Sequence, residues 1–122
     1  MQENDKKTLY QRPLELQGST FKIKPSTDIP ALYVTINKGE DGRIREVFVN
    51  TGGGPGDLEF AMVLGRIASA VCRMVDNPEF LVKELMDMFG EAFWAKTGEN
   101  SMMFNGRVHA VGWCLMKAME KK

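Results

Sequence analysis

The sequence predicts an α+β domain in which an N-terminal antiparallel sheet of three to four strands is followed by three helices packed on it. Two observations support this fold class. Apolar and polar residues alternate up to Asn50, whereas apolar residues recur at helical spacing from Asp57 onward. A turn lies between the two regions, and residues 52–56 of it are four glycines and a proline. Neither a strand nor a helix interior tolerates that composition, so the break between the two regions is firm.

Strands are predicted near residues 19–24, 31–38 and 43–50, where alternate positions are apolar, as on a strand with one buried face. The sequence Gly-Glu-Asp-Gly at 39–42 predicts a hairpin turn between the second and third strands. An additional edge strand is expected within residues 10–17. Glu46 is expected at the surface because it faces away from Val47. Residues 1–8 are polar and are expected to be disordered.

Helices are predicted near residues 57–75, 78–89 and 105–120. Asp57 stands where the N-cap of the first helix belongs. The apolar face of this helix is predicted at helical spacing: Phe60, Val63, Ile67, Ala70 or Val71, and Met74. The second helix has a core stripe of Leu81, Leu85 and Met88. Residues 91–105 are aromatic and expected to be irregular, as a loop that is functional or packed under another element.

The charge balance limits the possible partners. Sixteen basic and sixteen acidic residues give a formal net charge of zero, which argues against a general DNA- or RNA-binding protein. A few arginines at suitable positions could still bind a small anion. A neutral protein lacks charge repulsion against itself, so we expect a homo-oligomer, a dimer or a larger assembly such as a hexamer. No apolar run reaches the length of a membrane span, and the N-terminus lacks a signal-peptide core, so a cytoplasmic protein without a membrane partner is expected.

The residue types required for catalysis or metal binding are scarce. Cys72 and Cys114 lie within apolar helical patterns, and His109 is the only histidine. These residues form no zinc or thiol-catalyst pattern, and buried free thiols in a reducing compartment are the expected state. No set of nucleophile, base and orienting group emerges. We therefore expect a protein that is not an enzyme and that has no metal or cofactor.

The glycine-rich turn has two interpretations. Backbone N–H groups at the start of a helix bind phosphate in some proteins. Here the lysine and hydroxyl residue of a P-loop are absent, and Asp57 and Glu59 would repel an anion. A tight connection between strand and helix is the favoured interpretation.

Several stretches of the first half of the chain resemble the TSCPD domain, which closes the C-terminus of cobalamin-dependent ribonucleotide reductases and also occurs as small free-standing proteins. The resemblance covers residues 11–74 and rests on Arg12-Pro13, Gly18-Ser19-Thr20-Phe21-Lys22-Ile23, Leu32-Tyr33-Val34-Thr35-Ile36-Asn37, Glu46-Val47-Phe48-Val49 and Gly65-Arg66-Ile67-Ala68-Ser69. The Thr-Ser-Cys-Pro-Asp signature of the family belongs at the start of the last helix. Residues 105–110 read Asn-Gly-Arg-Val-His-Ala instead, which puts a redox or metal role there in doubt.

Free-standing phage proteins of this shape resemble the Thoeris anti-defence sponge family, which sequesters cyclic ADP-ribose signals made by TIR-domain immune proteins. The resemblance implies self-association around recessed ligand pockets, and some members are similar in also binding cyclic oligonucleotides. It further implies ligand contacts from an aromatic residue early in the second helix and from an arginine at the start of the last. Phe80 and Arg107 stand at those places.

The candidate ligand-binding residues each have an alternative role. Arg107 at a helix N-terminus opposes the helix dipole unless an anion is near, and with Asn105 as cap it would suit a pyrophosphate; the alternative is a solvated arginine. Phe80 would stack on an adenine or cover the edge of the core. Arg66 and Arg73 are expected as solvated charges, and for Arg66 the alternative is that it faces a pocket. Trp94 and Phe104 either stack on a base or cover the core.

Three functions remain open at this point. The first is a sponge that binds a cyclic ADP-ribose-type signal, with or without cyclic oligonucleotides, and does not degrade it. The second is a nucleotide-binding accessory protein related to the C-terminal domain of cobalamin-dependent ribonucleotide reductases. The third is a structural or protein-interaction module that uses the methionine-rich and aromatic surface.

Overall fold

The computed structural model describes residues 10–121, and the disorder expected for residues 1–8 lies outside this range. The elements in chain order are β1 (Gln17–Ile23), β2 (Leu32–Lys38), β3 (Ile44–Thr51), α1 (Pro55–Met74), α2 (Glu79–Met86), β4 (Phe93–Thr97), β5 (Asn100–Phe104) and α3 (Arg107–Glu120). A three-stranded antiparallel sheet, a two-stranded sheet and three helices confirm the predicted α+β class.

The main sheet has the strand order β1-β2-β3, with both neighbouring pairs antiparallel. Its inner face carries the alternate apolar residues predicted from the sequence, and Leu32, Val34 and Ile36 are fully buried. The hairpin turn forms as predicted, since the N–H of Gly42 donates to the Gly39 carbonyl at 3.0 Å. Gly42 has a φ of 82°, a conformation that favours glycine.

The expected fourth strand is absent, because residues 10–16 form no strand. Pro13 has no N–H to donate to a ladder. The guanidinium of Arg12 donates to the carbonyls of Pro13 and Leu14 at 2.7 and 3.1 Å, which occupies the acceptors that a ladder would need. Leu14 is 99% exposed, so its alternation with Leu16 does not mark a buried face.

Helix α1 lies along the outer edge of β3. The Ser69 hydroxyl accepts from the Val47 N–H at 2.8 Å and donates to the Val47 carbonyl at 2.9 Å. Nε of Arg73 donates to the carbonyl of Arg45 at 3.2 Å. A Cβ at Gly65 would lie 3.1 Å from the Val47 carbonyl oxygen, so the helix approaches the strand closely at this glycine. Side chains of α1 therefore bind edge groups of β3 that a neighbouring strand would otherwise take.

The predicted apolar face of α1 is partly wrong. Phe60 and the alternative Val71 pack against the core as predicted, whereas the other members of the face are exposed, with Ile67 at 57% and Met74 at 77%. The fully buried residues of this helix are small, namely Ala61, Gly65, Ala68, Ser69 and Cys72. The close approach to the β3 backbone leaves no room for a larger side chain at Gly65. Helical periodicity identified an apolar strip correctly but assigned most of it to the wrong environment.

The second sheet is a hairpin in the region expected to be irregular. β4 and β5 pair antiparallel from Phe93 opposite Phe104 to Thr97 opposite Asn100. Gly98, with a φ of 80°, forms the turn. Phe93, Ala95 and Phe104 are buried, while Trp94 is exposed. Alternation with period two is therefore present on both sides of Gly98, and it is the sequence signal that the prediction missed.

The last helix, α3, joins the parts of the core. It packs against α2 and against the inner face of the main sheet. A Cβ at Gly112 would lie 2.8 Å from Cγ of Met86, so a larger residue would push α2 away. Leu81 and Leu85 are buried as predicted. The predicted third member of that stripe, Met88, is exposed because α2 ends at Met86.

Glu46 is buried, which corrects its expected surface position. Its carboxylate accepts hydrogen bonds from Arg12, from Nδ2 of Asn37 at 3.0 Å and from Nη2 of Arg73 at 3.4 Å. Arg73 is thus a partner of Glu46 rather than only a solvated charge. The hydrogen bond from Arg12, supported by that from Asn37, holds the pKa of Glu46 below its ordinary value despite the burial. This cluster ties the segment before β1 to the sheet.

We expect Glu46→Gln to lower the free energy of unfolding by about 1.5–3 kcal/mol at pH 7, the range for hydrogen bonds to a charged group. Because the folded-state pKa lies below the ordinary 4.5, the stabilisation is fully present above pH 4.5 and is lost as the pH falls through the lowered pKa. Urea unfolding at several pH values measures the difference in free energy of unfolding between the variant and the wild type. Glu84→Gln, on the exposed face of α2, is the control. A difference that does not narrow below pH 4.5 would contradict this prediction.

Candidate functional site

A cleft of about 320 Å³ opens where the starts of α1 and α3 meet the loop between α2 and β4. Its walls combine apolar groups with one cation, two carboxylates and one imidazole. The lining residues are Ile29, Pro30, Asp57, Phe60, Met88, Phe89, Gly90, Glu91, Gly106, Arg107, Val108 and His109. This volume is at the lower end of the range for small-molecule sites.

Arg107 is the first residue of α3 and the only cation in the cleft lining. Nη1 of Arg107 lies 3.0 Å from Oδ1 of Asp57. The guanidinium carbon is 4.6 Å from the centroid of the Phe60 ring, a cation–π distance. Asp57 and Phe60 both come from the first turns of α1. Their contacts stabilise the positive charge of Arg107, which the positive end of the α3 dipole would otherwise disfavour.

The expected cap role of Asp57 is wrong. Helix α1 begins at Pro55, the residue before it is Gly54, and no side chain caps the helix. Proline suits the first helical position because its missing N–H would have no partner there. Asp57 therefore lies within the first turn, with its carboxylate bound to Arg107.

Two glycines bring the loop after α2 against the start of α3. The N–H of Gly90 donates to the carbonyl of Asn105 at 2.6 Å. Gly106 has a φ of 147°, and a Cβ there would lie 2.9 Å from the Gly90 nitrogen. Both the backbone conformation and the close approach require glycine at 106. This contact closes one side of the cleft and fixes the position of Arg107.

His109 lines the cleft from the first turn of α3 with a defined tautomer. The N–H of Asn105 donates to its Nδ1 at 3.2 Å, so Nδ1 carries no proton. Burial lowers the pKa of His109, which favours the neutral ring at pH 7. The remaining nitrogen, Nε2, then carries the proton and is a hydrogen-bond donor. The edge-on contact with Phe104, at 5.7 Å between centroids, fixes the ring.

The start of α3 offers hydrogen-bond donors to an anion, although the Asp57 and Glu91 carboxylates also line the cleft. The Arg107 guanidinium and Nε2–H of His109 are donors, and the first N–H groups of α3 have no acceptor within the helix. Phe89, which is 84% exposed at the rim, offers a rigid apolar ring. A nucleotide phosphate with its base on this ring has the matching chemistry.

The structure places one of the predicted site residues in the cleft and the others outside its lining. Arg107 lines the cleft, and Asn105 lies beside it, where its backbone N–H and carbonyl hold His109 and Gly90. Phe80 is exposed in the first turn of α2 and does not line the cleft. Trp94 is exposed on β4, opposite Met103. Phe104, the alternative base-stacking residue, is fully buried.

Arg66 lines a second, open groove between β3 and α1. The glycines of the turn before α1 do not line the first cleft, which agrees with a tight connection. Sequence reasoning missed Asp57, Phe60, Phe89 and His109 as cleft residues. For Asp57 and Phe60 the sequence signals pointed to a cap and to a core face.

Both cysteines are buried away from the cleft. Burial raises the pKa of the Cys72 thiol to about 11 and that of Cys114 to about 12, so both remain protonated at pH 7. Within residues 10–121 no group of three or more histidine, cysteine, aspartate or glutamate side chains is arranged to hold a metal ion. No helix in the same range is long and apolar enough to cross a membrane.

Comparison with known proteins identifies the family. The TSCPD domain matches residues 6–119, which extends well beyond the resemblance seen in the first half of the sequence. The match therefore includes α2, the β4–β5 hairpin and α3, although the signature cysteine and proline are absent from residues 105–110. No curated protein and no solved structure is significantly similar to the chain. The chain belongs to the TSCPD domain family.

Proposed function

We propose that this protein binds a cyclic ADP-ribose-type signal in the cleft at the start of α3 and sequesters it without degrading it. The observation that carries the proposal is the position of Arg107, at a helix N-terminus and in the lining of the cleft. The partly exposed guanidinium of Arg107 and the first N–H groups of α3 lie together and are suited to a pyrophosphate. The resemblance to the Thoeris anti-defence sponge family supports the same ligand class.

In this proposal, separate groups of the cleft would bind separate parts of the ligand. The pyrophosphate would accept from the Arg107 guanidinium and from the first N–H groups of α3. The face of Phe60 already lies against the guanidinium, so the exposed Phe89 ring at the rim is the better surface for the adenine. Nε2–H of His109 would donate to a ribose or phosphate oxygen.

Two candidate bases of the cleft, His109 and Asp57, are already engaged, and the third, Glu91, is an exposed carboxylate. A general base must be free to accept a proton from the reacting group. Nδ1 of His109 already accepts from a backbone N–H, and the Asp57 carboxylate is paired with Arg107. The two thiols are buried elsewhere with raised pKa values. We therefore propose a protein without enzymatic activity.

The most direct test is incubation of the purified protein with cyclic ADP-ribose isomers, followed by calorimetry and by mass spectrometry of the ligand released on heating. We expect saturable binding and recovery of an unchanged ligand. A hydrolysed product would show an enzyme and would overturn sequestration. No binding of any isomer would overturn the ligand class. The same measurement with cyclic di- and trinucleotides tests the cyclic oligonucleotide signals that some sponge relatives bind.

Asp57 competes with a bound phosphate for Arg107, so we expect Asp57→Asn to strengthen binding. Two unit charges about 4 Å apart in water interact by about 1 kcal/mol, which corresponds to a roughly fivefold change in affinity. Calorimetry of both proteins with one cyclic ADP-ribose isomer measures the change. Glu59→Gln, two residues away and outside the cleft lining, is the matched control and should leave the affinity unchanged. Weaker binding by Asp57→Asn would mean that the carboxylate itself contacts the ligand.

The second candidate function follows from the family. A TSCPD domain closes the C-terminus of cobalamin-dependent ribonucleotide reductases, so a nucleotide-binding accessory protein of such an enzyme is the alternative. The match over residues 6–119 favours it, and the absent signature cysteine counts against a redox role. Binding of a nucleoside triphosphate but of no cyclic signal would favour this alternative.

The proposed sponge would act in the cytoplasm of a phage-infected bacterium.

A further inference from the structure

Among the charged residues that line the cleft, Glu91 alone takes part in no ion pair within residues 10–121. The other two, Arg107 and Asp57, are paired at 3.0 Å between Nη1 and Oδ1, so their charges largely cancel. Two carboxylates and one guanidinium leave the lining with one negative charge. This charge belongs to Glu91, and the pyrophosphate contacts proposed above give it no role.

The backbone at Glu91 is held on both sides. The N–H of the preceding Gly90 donates to the carbonyl of Asn105 at 2.6 Å, and a Cβ at Gly106 would lie 3.0 Å from the Gly90 Cα. Two residues after Glu91, Phe93 is buried at the start of β4. The Glu91 side chain itself is exposed. Its carboxylate is therefore attached to a fixed point of the cleft wall and is accessible to a ligand.

We infer that Glu91 determines which signals the cleft accepts, by binding the 2′-hydroxyl of the adenosine ribose and rejecting a phosphate at that position. The inference rests on the proposed function. With the adenine on Phe89 and the pyrophosphate at Arg107, the ribose between them lies on the side of the cleft that carries Glu91. An ionised carboxylate accepts hydrogen bonds and donates none, so it suits a hydroxyl and not a phosphate oxygen. Acidic side chains select an unphosphorylated ribose in the same way in dinucleotide sites.

The charges of the cleft determine how strong this selection is. A phosphomonoester carries a charge of about −1.5 to −2 at pH 7. Each pair of like unit charges about 4 Å apart in water weakens binding about fivefold, so a 2′-phosphate should weaken binding at least about tenfold. No second cation in the described lining is present to bind this phosphate.

Calorimetry with cyclic ADP-ribose and with its 2′-phosphate tests the inference. The wild type should bind the phosphorylated ligand at least about tenfold more weakly. Glu91→Gln keeps the shape without the charge and should remove most of this difference, and Glu91→Arg should reverse it. Asp87→Asn removes an exposed carboxylate four residues earlier and outside the cleft lining, so it should keep the wild-type ratio. Because Glu91 is exposed, the melting temperature should be the same in all four proteins.

Salt separates rejection by charge from rejection by shape. The Debye length falls to about 3 Å at 1 M salt, so the ratio of the two affinities should narrow for the wild type and stay the same for Glu91→Gln. A ratio that salt does not change would mean steric exclusion and would overturn the role of the charge.

The remaining outcomes distinguish this inference from the proposed function. Equal affinity of the wild type for the two ligands, or a wild-type ratio in Glu91→Gln, would overturn the inference and leave sequestration in place. The same holds if the protein binds only isomers whose ring is closed through the 2′-hydroxyl, since these have no such donor. Binding of no isomer at all would overturn both.

Discussion

Arg107→Ala should weaken binding of a cyclic ADP-ribose isomer about tenfold to a hundredfold. A charge-assisted hydrogen bond contributes about 1.5–3 kcal/mol, and each 1.4 kcal/mol is a factor of ten in affinity. The melting temperature should change little, because the guanidinium is partly exposed and its loss leaves Asp57 and Phe60 accessible to water. Isothermal titration calorimetry and thermal unfolding measure the two effects separately.

Controls distinguish this site from a general effect of charge. Lys117→Ala removes a cation from the far end of α3 and should leave the affinity unchanged. Phe89→Ala should weaken binding by about 1–3 kcal/mol if the base stacks on the rim. Phe80→Ala tests the position that the family resemblance selects. If Phe80→Ala and Arg66→Ala lose affinity while Arg107→Ala keeps the wild-type affinity, the ligand binds outside this cleft.

Phe104→Ala should produce the largest loss of stability, about 3–5 kcal/mol, as expected for truncation of a fully buried phenylalanine. The ring makes edge-on contacts with Phe93, His109 and Trp113. Truncation therefore leaves a cavity between the β4–β5 hairpin and α3. Urea unfolding measures the loss of free energy. Affinity for the ligand should also fall, since Phe104 supports the His109 ring.

The same hairpin provides the matched control for Phe104→Ala. Trp94 is the larger aromatic residue but lies on the exposed side of β4. Trp94→Ala should therefore change the free energy of unfolding by less than about 1 kcal/mol. A larger loss in Trp94→Ala than in Phe104→Ala would mean that the assignment of the two faces of the hairpin is wrong.

The parts of the fold that sequence predicted well are those set by local patterns. Alternation along β2 and the Gly-Glu-Asp-Gly turn required only neighbouring residues to identify, and both are confirmed. The environment of a helix face is not local. The strip containing Ile67 and Met74 has the period of a buried face, but both residues are exposed. Helix α1 instead turns Gly65 to the backbone of β3, where a larger side chain would not fit.

The residues of the cleft likewise divide into those that local sequence predicts and those that only the fold brings together. Arg107 was predictable because its position at a helix start follows from neighbouring residues. Asp57 is 50 residues away in the chain, and only the folded structure brings its carboxylate to Arg107. Glu46 illustrates a related limit. Its side chain alternates correctly with Val47, yet it is buried because Arg12, Asn37 and Arg73 converge on it.

The position of α1 beside β3 also bears on how copies of this protein behave when crowded. A sheet with two open edges can recruit a strand at each side and grow without limit into a fibre. Ser69 occupies both edge groups of Val47, so β3 is a poor acceptor for another chain. Over residues 10–121, no strand pairs with the other side of β1. Two sheets joined through β1 would have α1 at both outer ends, and strand addition would stop at two chains.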